Sequence, residues 1–304
     1  MKRRDFIKKT MKLLAIGGFF FSTEDILAKR KKKSRPRKKA SSEVILTNES
    51  VFEKILKQAE QNNWKTKNIG EVVIEVAKCF LGRPYEGGTL EVNGENEEIV
   101  VNLIEFDCVT LMESSLAFAR MLKKGLATMN DFAGELEFIR YRKGKLVDYT
   151  SRLHYTSDWI TDNESKGVIA DISKSLGGIP IQFNVFFMSE NSELYPVLRK
   201  VPKMIAEIEV YEEHIRKRTY HYIPKEQFSS IENKVQTGDI VAIVTNKPGL
   251  DFSHVGLIVV ENNNVKLLHA SSSQKKVVLD SSLQNYLASN TTATGVCILR
   301  PLEV

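Results

Sequence analysis

Phe106-Asp107-Cys108-Val109-Thr110 begins an amphipathic helix that the spacing of apolar residues extends to about Lys124. Asp107 is placed as the N-cap of this helix, because its short side chain can accept hydrogen bonds from the first backbone N–H groups. Cys108 then lies in the first helical turn, where the partial positive charge of the helix end favours a thiolate. We therefore expect Cys108 to be an ionised nucleophile.

Two histidines far downstream lie on apolar, strand-like stretches. His254 opens the run 254–259, and His269 ends the strand that follows it. A turn at Asn262-Asn263-Asn264 makes these strands an antiparallel hairpin and brings both imidazoles to the same open end. A thiol nucleophile needs a base within hydrogen-bonding reach and a third group that orients the base. We assign His254 as the base and His269 as the orienting group.

Two other interpretations of these residues stay open from the sequence. The histidines could be hydrogen-bonded polar groups at strand ends with no chemical role. Cys108, His254 and His269 could also form a zinc site with one open coordination position. The zinc site is disfavoured because the sequence lacks a C-x-x-C pair and an H-E-x-x-H motif. We expect neither a metal nor an organic cofactor.

The charge of the chain is divided unevenly between its start and its body. The 304 residues carry a formal net charge of +6, but residues 1–42 carry +12 and the remaining residues carry −6. The body is therefore mildly acidic. A nucleic-acid-binding domain needs basic groups along its folded surface, so the charge distribution excludes nucleic acid as a partner.

Residues 1–28 have the features of an export signal. Basic residues precede a short apolar stretch, and Ile26-Leu27-Ala28 offers a small-residue cleavage site. Arg3-Arg4-Asp5-Phe6 is similar to a twin-arginine signal, and the alternatives are an ordinary secretory signal and an uncleaved anchor. We expect export into the periplasm of a Gram-negative cell envelope.

Residues 29–42 follow as a basic segment, in which nine of the eleven residues from Lys29 to Lys39 are Lys or Arg. This composition is typical of a solvated, disordered linker. The alternative is electrostatic attachment to anionic lipid or to acidic cell-wall polymer. One folded domain then occupies residues 43–304, and we expect it to be a monomer.

Helical periodicity comes first along the body and strand periodicity comes later. The helices are predicted at residues 49–63, 69–80, 108–124, 130–140, 203–218 and 281–287. The strands are predicted at residues 99–103, 239–245, 253–260, 265–270, 277–279 and 294–300. This order indicates an α+β domain, in which N-terminal helices, including the one that carries the cysteine, pack on a C-terminal antiparallel sheet that carries the histidines.

Arginine and aromatic residues are concentrated in a segment at about 130–165. Aromatic rings stack on sugar rings and arginines donate to hydroxyl and acetamido oxygens, so we predict a substrate-recognition insert here. The candidate substrate contacts are Asp107, Arg140, Arg152, His154, Tyr155 and Trp159. A tightly hydrogen-bonded structural segment is the alternative. Tyr85, in the glycine-rich loop 82–88, is a candidate for stabilising an oxyanion or for simple packing.

Several motifs of the body resemble a known superfamily. Resemblance to the NlpC/P60 superfamily of cell-wall cysteine hydrolases is carried by Gly82-Arg83-Pro84-Tyr85, Asp107-Cys108, Gly238-Asp239 and His254-Val255-Gly256. A closer resemblance is to the DUF1460 family, the N-acetylmuramoyl-L-alanine amidase-like branch. It is carried in order by Phe106–Thr110, Arg140–Arg142, Ser151–Trp159, Gly249–Asp251 and Leu268–Ser272.

The resemblance implies a papain-like core with Cys108 as nucleophile, His254 as base and His269 as second histidine. It also implies cleavage of the amide between N-acetylmuramic acid and L-alanine, with a preference for 1,6-anhydro-muropeptides released by lytic transglycosylases. Typical NlpC/P60 endopeptidases follow Asp-Cys with Ser-Gly, whereas Val109-Thr110 stands here. The competing functions are an endopeptidase that cuts within the stem peptide and a non-catalytic wall-binding protein.

Overall fold

The computed structural model describes residues 46–91 and 96–304. The predicted export signal (residues 1–28) and the predicted basic linker (residues 29–42) lie outside these described residues. Within the described ranges, no helix is both long enough and apolar enough to cross a membrane.

Helices occupy most of the first part of the described chain. They are α1 (Asn48–Gln61), α2 (Ile69–Lys78), α3 (Cys108–Lys123), α4 (Met129–Arg140), α5 (Thr156–Ser165), α6 (Phe187–Glu190), α7 (Pro196–Lys200), α8 (Lys203–Arg216) and α9 (Leu283–Ser289). The six predicted helices are confirmed as α1–α4, α8 and α9, with ends within two residues of the prediction.

Side-chain caps mark five of the six predicted helices, and the exception is α8, which begins after Pro202 without a side-chain cap bond. The side chains of Thr47, Asn68, Asp107, Thr128 and Ser282 cap α1, α2, α3, α4 and α9. The unpredicted helices α5, α6 and α7 begin at residues that make no side-chain cap bond. These helices are also short, so neither signal that marks a helix in a sequence is strong there.

The second part of the described chain forms an antiparallel sheet. Its strands are β1 (Ile169–Asp171), β2 (Ile179–Ile181), β3 (Tyr220–Pro224), β4 (Ile240–Thr245), β5 (Phe252–Glu261), β6 (Asn264–Ser271), β7 (Lys276–Asp280) and β8 (Ala293–Pro301). The order across the sheet is β2-β3-β8-β4-β5-β6-β7, and β1 also pairs with β8. Strands β4–β8 confirm the prediction, each to within one residue at either end.

Residues 99–103 do not form the predicted strand, which corrects the prediction there. Side chains bind the backbone of this segment in place of a neighbouring strand. Asn48 donates to the Val101 carbonyl and accepts from the Leu103 N–H, while Arg140 donates to the Val100 carbonyl. The apolar run is therefore a partly buried loop, which a short run cannot reveal by its periodicity.

The hairpin between β5 and β6 has the turn that the sequence predicts. Asn262 and Asn263 have φ values of 53° and 60°. Two successive positive φ values belong to a type I′ turn, which asparagine tolerates and which matches the twist of the flanking strands. The two strands pair in register through Leu257 and Leu268, so the start of β5 and the end of β6 lie at the same end of the sheet.

Apolar residues pack on both faces of this sheet. Helix α3 packs against β5 and β6, and its apolar residues form one core cluster with Val255 and Leu257. On the other face, Leu283 of α9 joins Ile258 and Leu267 in a second cluster. Alternate residues of a strand point to opposite faces, which accounts for the division. The helix that carries Cys108 thus packs on the strands that carry the histidines, as the α+β prediction expects.

Candidate active site

The first turn of α3 is held by a capping box between Asp107 and Thr110. Asp107 Oδ1 accepts a hydrogen bond from the Thr110 backbone N–H and another from its hydroxyl, both at 2.8 Å. The Asp107 N–H donates in return to Thr110 Oγ1 at 3.0 Å. These bonds confirm the predicted N-cap and fix the backbone of Cys108, the first residue of the helix.

Burial opposes ionisation of the Cys108 thiol. Burial, followed by the charge of Asp107, raises its pKa to about 12, although the backbone N–H groups of Val255, Cys108 and Val109 act in the opposite direction. The expectation of an ionised sulfur is therefore wrong for the resting state. Desolvation of a fully buried thiolate outweighs the positive end of the helix. A protonated thiol becomes a good nucleophile only when a base removes its proton.

A hydrogen-bonded chain of three side chains begins at the predicted base. His254 Nε2 lies 2.7 Å from His269 Nδ1, and His269 Nε2 lies 3.0 Å from Asp280 Oδ2. The two imidazole rings are nearly perpendicular, at 89°, with centroids 4.8 Å apart. The structure thus brings the two histidines together in the order that the sequence assigns, with His269 behind His254.

Both imidazoles favour the neutral form. Burial lowers the pKa of His254 well below its usual value, and His269 adds to this effect. Burial also lowers the pKa of His269, against the opposing effect of Asp280. A neutral imidazole has a free acceptor nitrogen, so His254 can take a proton at neutral pH.

Tyr286 of α9 covers the two imidazoles. Its ring stacks on His254 with centroids 5.7 Å apart and an interplanar angle of 26°, and it meets His269 edge-on at 5.2 Å. Burial, followed by the charge of Cys108, raises the pKa of the Tyr286 hydroxyl. The tyrosine therefore lies against the base and close to the nucleophile.

Cys108 and His254 line one cavity of about 200 Å³. The other lining residues are Tyr85, Lys247, Ser253, Ser272, Tyr286, Asn290 and Thr292. Tyr85 is held there by β-bridges of its loop, in which Pro84 pairs with Lys276 and Tyr85 pairs with Phe106. Three of the four predicted catalytic residues therefore meet in one cavity, and the fourth, His269, is hydrogen-bonded to His254.

Gly256 allows β6 to approach β5 beside the histidines. A Cβ atom at this position would lie 2.5 Å from Leu267 Cδ1 and 3.2 Å from His269 Cβ. These separations are shorter than ordinary van der Waals contact, so a side chain at residue 256 would require Leu267 to change its conformation and His269 to shift by a few tenths of an ångström. The glycine thus favours close approach of the two strands beside the imidazole pair.

The zinc interpretation does not match the orientation of the imidazoles. A zinc ion needs its ligand nitrogens aimed at one point, each about 2.0–2.1 Å from the metal. Instead, His254 Nε2 and His269 Nδ1 face each other at hydrogen-bonding distance, 2.7 Å. Within residues 46–91 and 96–304, no three His, Cys, Asp or Glu side chains are grouped to hold a metal ion.

Two predicted substrate contacts, Arg140 and Trp159, bind one buried carboxylate of the protein. Arg140 Nε donates to Glu113 Oε2 at 2.7 Å, and Trp159 Nε1 donates to Glu113 Oε1 at 3.1 Å. All three side chains are buried. Glu113 therefore joins α4 to α5 beneath the predicted insert, which gives both residues a structural role.

Arg152 and Tyr155 are engaged in the same way. Arg152 pairs with Glu91 at 2.6 Å and with Glu97 at 3.2 Å, and the Tyr155 hydroxyl donates to Glu212 at 2.7 Å. Neither residue lines the cavity of Cys108, and neither do Asp107, Arg140 and Trp159. Their role as substrate contacts stays a prediction, although the observed bonds already account for these side chains.

His154 and Trp159 border a second, small crevice that reaches the backbone next to the nucleophile. Its other lining residues are Val109, Met112, Leu153, Thr156 and Val255. Val109 follows Cys108 and Val255 follows His254, so this crevice lies beside the backbone of both residues, and neither Arg140 nor Arg152 lines it. His154 Nε2 donates to the Tyr149 carbonyl at 2.7 Å.

Sequence reasoning missed two residues of the site, Asp280 and Tyr286. Asp280 comes directly after the predicted strand 277–279 and pairs across the sheet with Leu267, two residues before His269. A polar residue on the same face as a functional histidine was therefore a usable signal. Tyr286 lies in the predicted helix 281–287, but the side of the sheet on which α9 packs cannot be read from its own sequence.

Comparison with known proteins bears on this geometry. A family described as N-acetylmuramoyl-L-alanine amidase-like matches residues 75–295 of the chain, a range that includes every residue of the cavity and of the hydrogen-bonded chain. The chain belongs to this amidase-like family. Among curated proteins, none is similar enough to the chain to match it.

Solved structures resemble this member of the amidase-like family over most of its length. An N-acetylmuramoyl-L-alanine amidase from Bacteroides uniformis is 36% identical, with a TM-score of 0.73 over 77% of this chain and 99% of that chain. A Bacteroides fragilis protein named as a xylanase is also 36% identical, with a TM-score of 0.69 over 74% and 98% of the two chains. A DUF1460 protein from Legionella pneumophila, 24% identical over 84% and 95%, shares the fold with a TM-score of 0.64. The chain is therefore a hydrolase of the amidase-like type.

Proposed function

We propose that this amidase-like protein is a cysteine amidase that hydrolyses the amide between N-acetylmuramic acid and L-alanine in muropeptides, including 1,6-anhydro-muropeptides. One observation carries the proposal: a cysteine at a helix N-terminus shares a cavity with a hydrogen-bonded, neutral imidazole. The family match and the named activity of the Bacteroides uniformis relative support the bond that is cleaved. The physiological context is then peptidoglycan turnover or recycling.

The first half of the reaction transfers one proton from sulfur to nitrogen. His254 takes the thiol proton of Cys108 through Nδ1, because its Nε2 is already bound to His269. The sulfur attacks the lactyl carbonyl carbon as the proton leaves. The carbon–nitrogen bond then breaks, and the nitrogen of L-alanine takes the proton from the imidazolium and departs as an amine. A thioester between Cys108 and the muramoyl group is left.

The second half uses water as the nucleophile. His254, neutral again, takes a proton from water, whose oxygen attacks the thioester carbonyl. Breakage of the carbon–sulfur bond releases the muramoyl carboxylic acid, and the proton returns to the sulfur. Because the pKa of the thiol is raised and the pKa of His254 is lowered, the resting pair is neutral and the base acts during the attack.

The negative charge of the tetrahedral intermediate needs donors at the carbonyl oxygen. A helix leaves the N–H groups of its first turn without partners inside the helix, and those of Cys108 and Val109 approach the sulfur. Tyr85 lines the same cavity and carries a hydroxyl that can donate. We propose that these three groups form the oxyanion site.

The wider architecture that we propose is the papain-like core of the NlpC/P60 superfamily. Within it, Val109 stands where typical endopeptidases place a serine after the nucleophile. The lost hydroxyl favours an amidase over an enzyme that cuts within the stem peptide. We further propose that His154 and Trp159, which border the crevice beside Val109, contact the glycan side of the substrate.

The name of the Bacteroides fragilis relative suggests a glycosidase as a competing function. Glycoside hydrolysis generally uses two carboxyl groups that flank the bond, about 5–9.5 Å apart. Among the described residues that line the cavity of Cys108, none is Asp or Glu. The chemistry of the cavity therefore favours acyl transfer by the thiol over cleavage of a glycosidic bond.

The decisive experiment identifies the products. Purified protein is incubated with a defined 1,6-anhydro-muropeptide, and the digest is analysed by mass spectrometry. We expect free anhydro-disaccharide and an intact stem peptide. A shortened glycopeptide would support the endopeptidase, cleavage between the sugars would support the glycosidase, and an unchanged substrate would support a wall-binding protein without activity.

Variants of two cysteines test the nucleophile. Cys108→Ala should abolish the products while the circular dichroism spectrum is retained. Cys79→Ala is the matched control, because Cys79 is also a free cysteine but is half-buried and does not line the cavity. Full activity of Cys108→Ala would contradict the cysteine mechanism. Loss of activity with a chelator, restored by added zinc, would favour the metal interpretation.

The setting of the enzyme is also a proposal. We propose that residues 1–28 direct export to the periplasm, where a monomer acts on soluble muropeptides. The basic run Lys29–Lys39 then either links the signal to the domain or attaches the protein to an anionic surface. Fractionation of cells that produce full-length protein, with and without residues 29–39, distinguishes these two roles.

A further inference from the structure

The hydrogen-bonded chain behind His254 ends on a group that can only accept. Asp280 Oδ2 lies 3.0 Å from His269 Nε2, and its other oxygen accepts from Gln274 Nε2 at 3.1 Å. An ionised carboxylate has no proton to donate, so the proton of the first contact is on His269 Nε2. Neutral imidazole carries one proton, and His269 Nδ1 must then be an acceptor.

This constraint passes through His269 to the base. With His269 Nδ1 as acceptor, the 2.7 Å contact with His254 requires a proton on His254 Nε2. His254 Nδ1 is then left with a lone pair. The opposite arrangement, with donors reversed along the chain, would place a proton on His254 Nδ1 and leave it unable to accept one from Cys108.

We propose that Asp280 is a positioning residue that selects the tautomer of both histidines, so that His254 presents an unprotonated Nδ1 to Cys108. This inference rests on the proposed function and adds a residue to it. It also assigns Gln274 a part, because the donor of its side chain holds the second oxygen of Asp280. Both imidazoles favour the neutral form. A neutral imidazole accepts a proton only at the nitrogen that carries none, so the tautomer decides whether His254 can act as the base.

The exposure of the Asp280 side chain indicates that it is not needed for packing of the core. Its side chain is 29% exposed, whereas that of His269 is 1% exposed, so removal of the carboxylate leaves no large cavity in the core. Gln274 is exposed and lies in the turn between β6 and β7. Substitutions at residues 274 and 280 should therefore leave the fold intact and act on the hydrogen-bond directions.

The test uses variants at residues 274 and 280 that change the direction of the hydrogen bond to His269. In Asp280→Asn the amide can face His269 with either its oxygen or its nitrogen, so both tautomers are populated. Adding Gln274→Glu places an acceptor against the new amide, turns its nitrogen away from His269 and restores the native directions. Adding Gln274→Lys places a donor there instead and turns the amide nitrogen towards His269. The two double variants offer the amide opposite hydrogen-bond partners and also differ in charge, so the ¹⁵N shifts, which report the tautomer directly, accompany the kinetics.

We expect kcat of Asp280→Asn to fall by about two- to tenfold, in proportion to the share of His254 that carries its proton on Nδ1 and cannot act as a base, with KM within about twofold. Gln274→Glu should recover most of this loss, and Gln274→Lys should deepen it. The ¹⁵N chemical shifts of the imidazoles give a readout without turnover. They should show protons on Nε2 of both histidines in the native protein and in the Gln274→Glu double variant, and a mixture in Asp280→Asn.

Two results overturn the inference. One is native ¹⁵N shifts and native kcat in Asp280→Asn. The other is equal recovery by Gln274→Glu and Gln274→Lys, which would show that the position tolerates any polar partner. Failure of the proposed function is distinguishable, because the shifts report the tautomers even if no muropeptide is cleaved.

Discussion

The insert at Arg140–Trp159 and the cavity of Cys108 are both rich in polar and aromatic side chains, but they use these groups differently. In the insert, Arg140 and Arg152 are buried and paired with carboxylates of the protein. In the cavity, Cys108 and His254 face a common space, and the paired groups lie behind them. The density of polar residues marks both regions in the sequence, whereas the direction of their hydrogen bonds distinguishes scaffold from site.

The largest expected effect comes from removing the base in the cavity. His254→Ala should lower kcat by roughly 10²–10⁴-fold, because the buried thiol then has no group to accept its proton. The melting temperature should change little, since the side chain occupies the edge of a cavity. The matched control is His221→Ala, a histidine of β3 outside this cavity, which should keep its kcat. A large loss of stability in His254→Ala would mean that this residue supports the fold instead of the reaction.

An alanine substitution in the insert should lower the free energy of unfolding instead of kcat. Arg140→Ala leaves Glu113 buried without its cation, and breaking a buried ion pair in this way costs about 3–5 kcal/mol of unfolding free energy. We expect a clear fall in the urea midpoint. At temperatures where the variant is folded, kcat/KM should stay near that of the native protein.

Lys145→Ala, an exposed cation on the same segment, is the control and should change the unfolding free energy by less than about 0.5 kcal/mol. A stable Arg140→Ala protein with a raised KM would reverse the assignment. Arg140 would then be the substrate contact that the sequence predicts.

A smaller effect is expected at Asp107, which caps the helix that begins at Cys108. Burial raises the pKa of its carboxyl to about 6 from a usual value of 3.8, so the native state binds the proton more tightly than the unfolded state. The protonated carboxyl therefore stabilises the native state relative to the ionised one. This stabilisation is fully present below pH 3.8 and is lost as the pH rises through about 6. The loss amounts to roughly 3 kcal/mol, at 1.36 kcal/mol for each unit of pKa shift.

Asp107→Asn should therefore remove this pH dependence, because asparagine keeps the N-cap without a charge. It should also lower the pKa of the Cys108 thiol, which the Asp107 charge raises, and so speed alkylation by iodoacetamide at pH 8. Urea unfolding at pH 4 and pH 7 and the alkylation rate check both effects. Asp131→Asn is a control of opposite sign, because Thr128 lowers the pKa of that exposed carboxyl.

The sequence predicts the elements that have strong local signals. Strands β4–β8 and the capped helices follow from local signals: alternation, side-chain caps and the Asn262-Asn263 turn. Cys108, His254 and Tyr85 could be placed together because a helix start and a hairpin end are local features. Helices α6 and α7 and strands β1 and β2 have only three to five residues and display no period, whereas the ten-residue helix α5 has no side-chain cap. Tertiary contacts fix these elements.

What the sequence could not supply is the pairing of groups distant along the chain. The bonds from Glu113 to Arg140 and Trp159 span 27 and 46 residues, and no local pattern distinguishes them from exposed polar groups. Desolvation of Cys108 likewise depends on the whole packed structure, so the thiolate expected from the helix end was wrong. Asp280 was within reach, since strand register places it beside Leu267 on the face of His269.

The smallest expected effect is in the pH profile of the native enzyme. The proposed mechanism needs neutral His254, and burial, with His269, lowers the pKa of this imidazole well below 6.5. The acid limb of kcat/KM should therefore lie below pH 6.5, and between pH 6.5 and 8 the value should change by less than about twofold. Tyr286→Ala exposes the imidazole to water, which should raise its pKa and move the limb towards 6.5. A native limb at or above pH 6.5 would mean that the His254 imidazole is solvated and that burial does not lower its pKa.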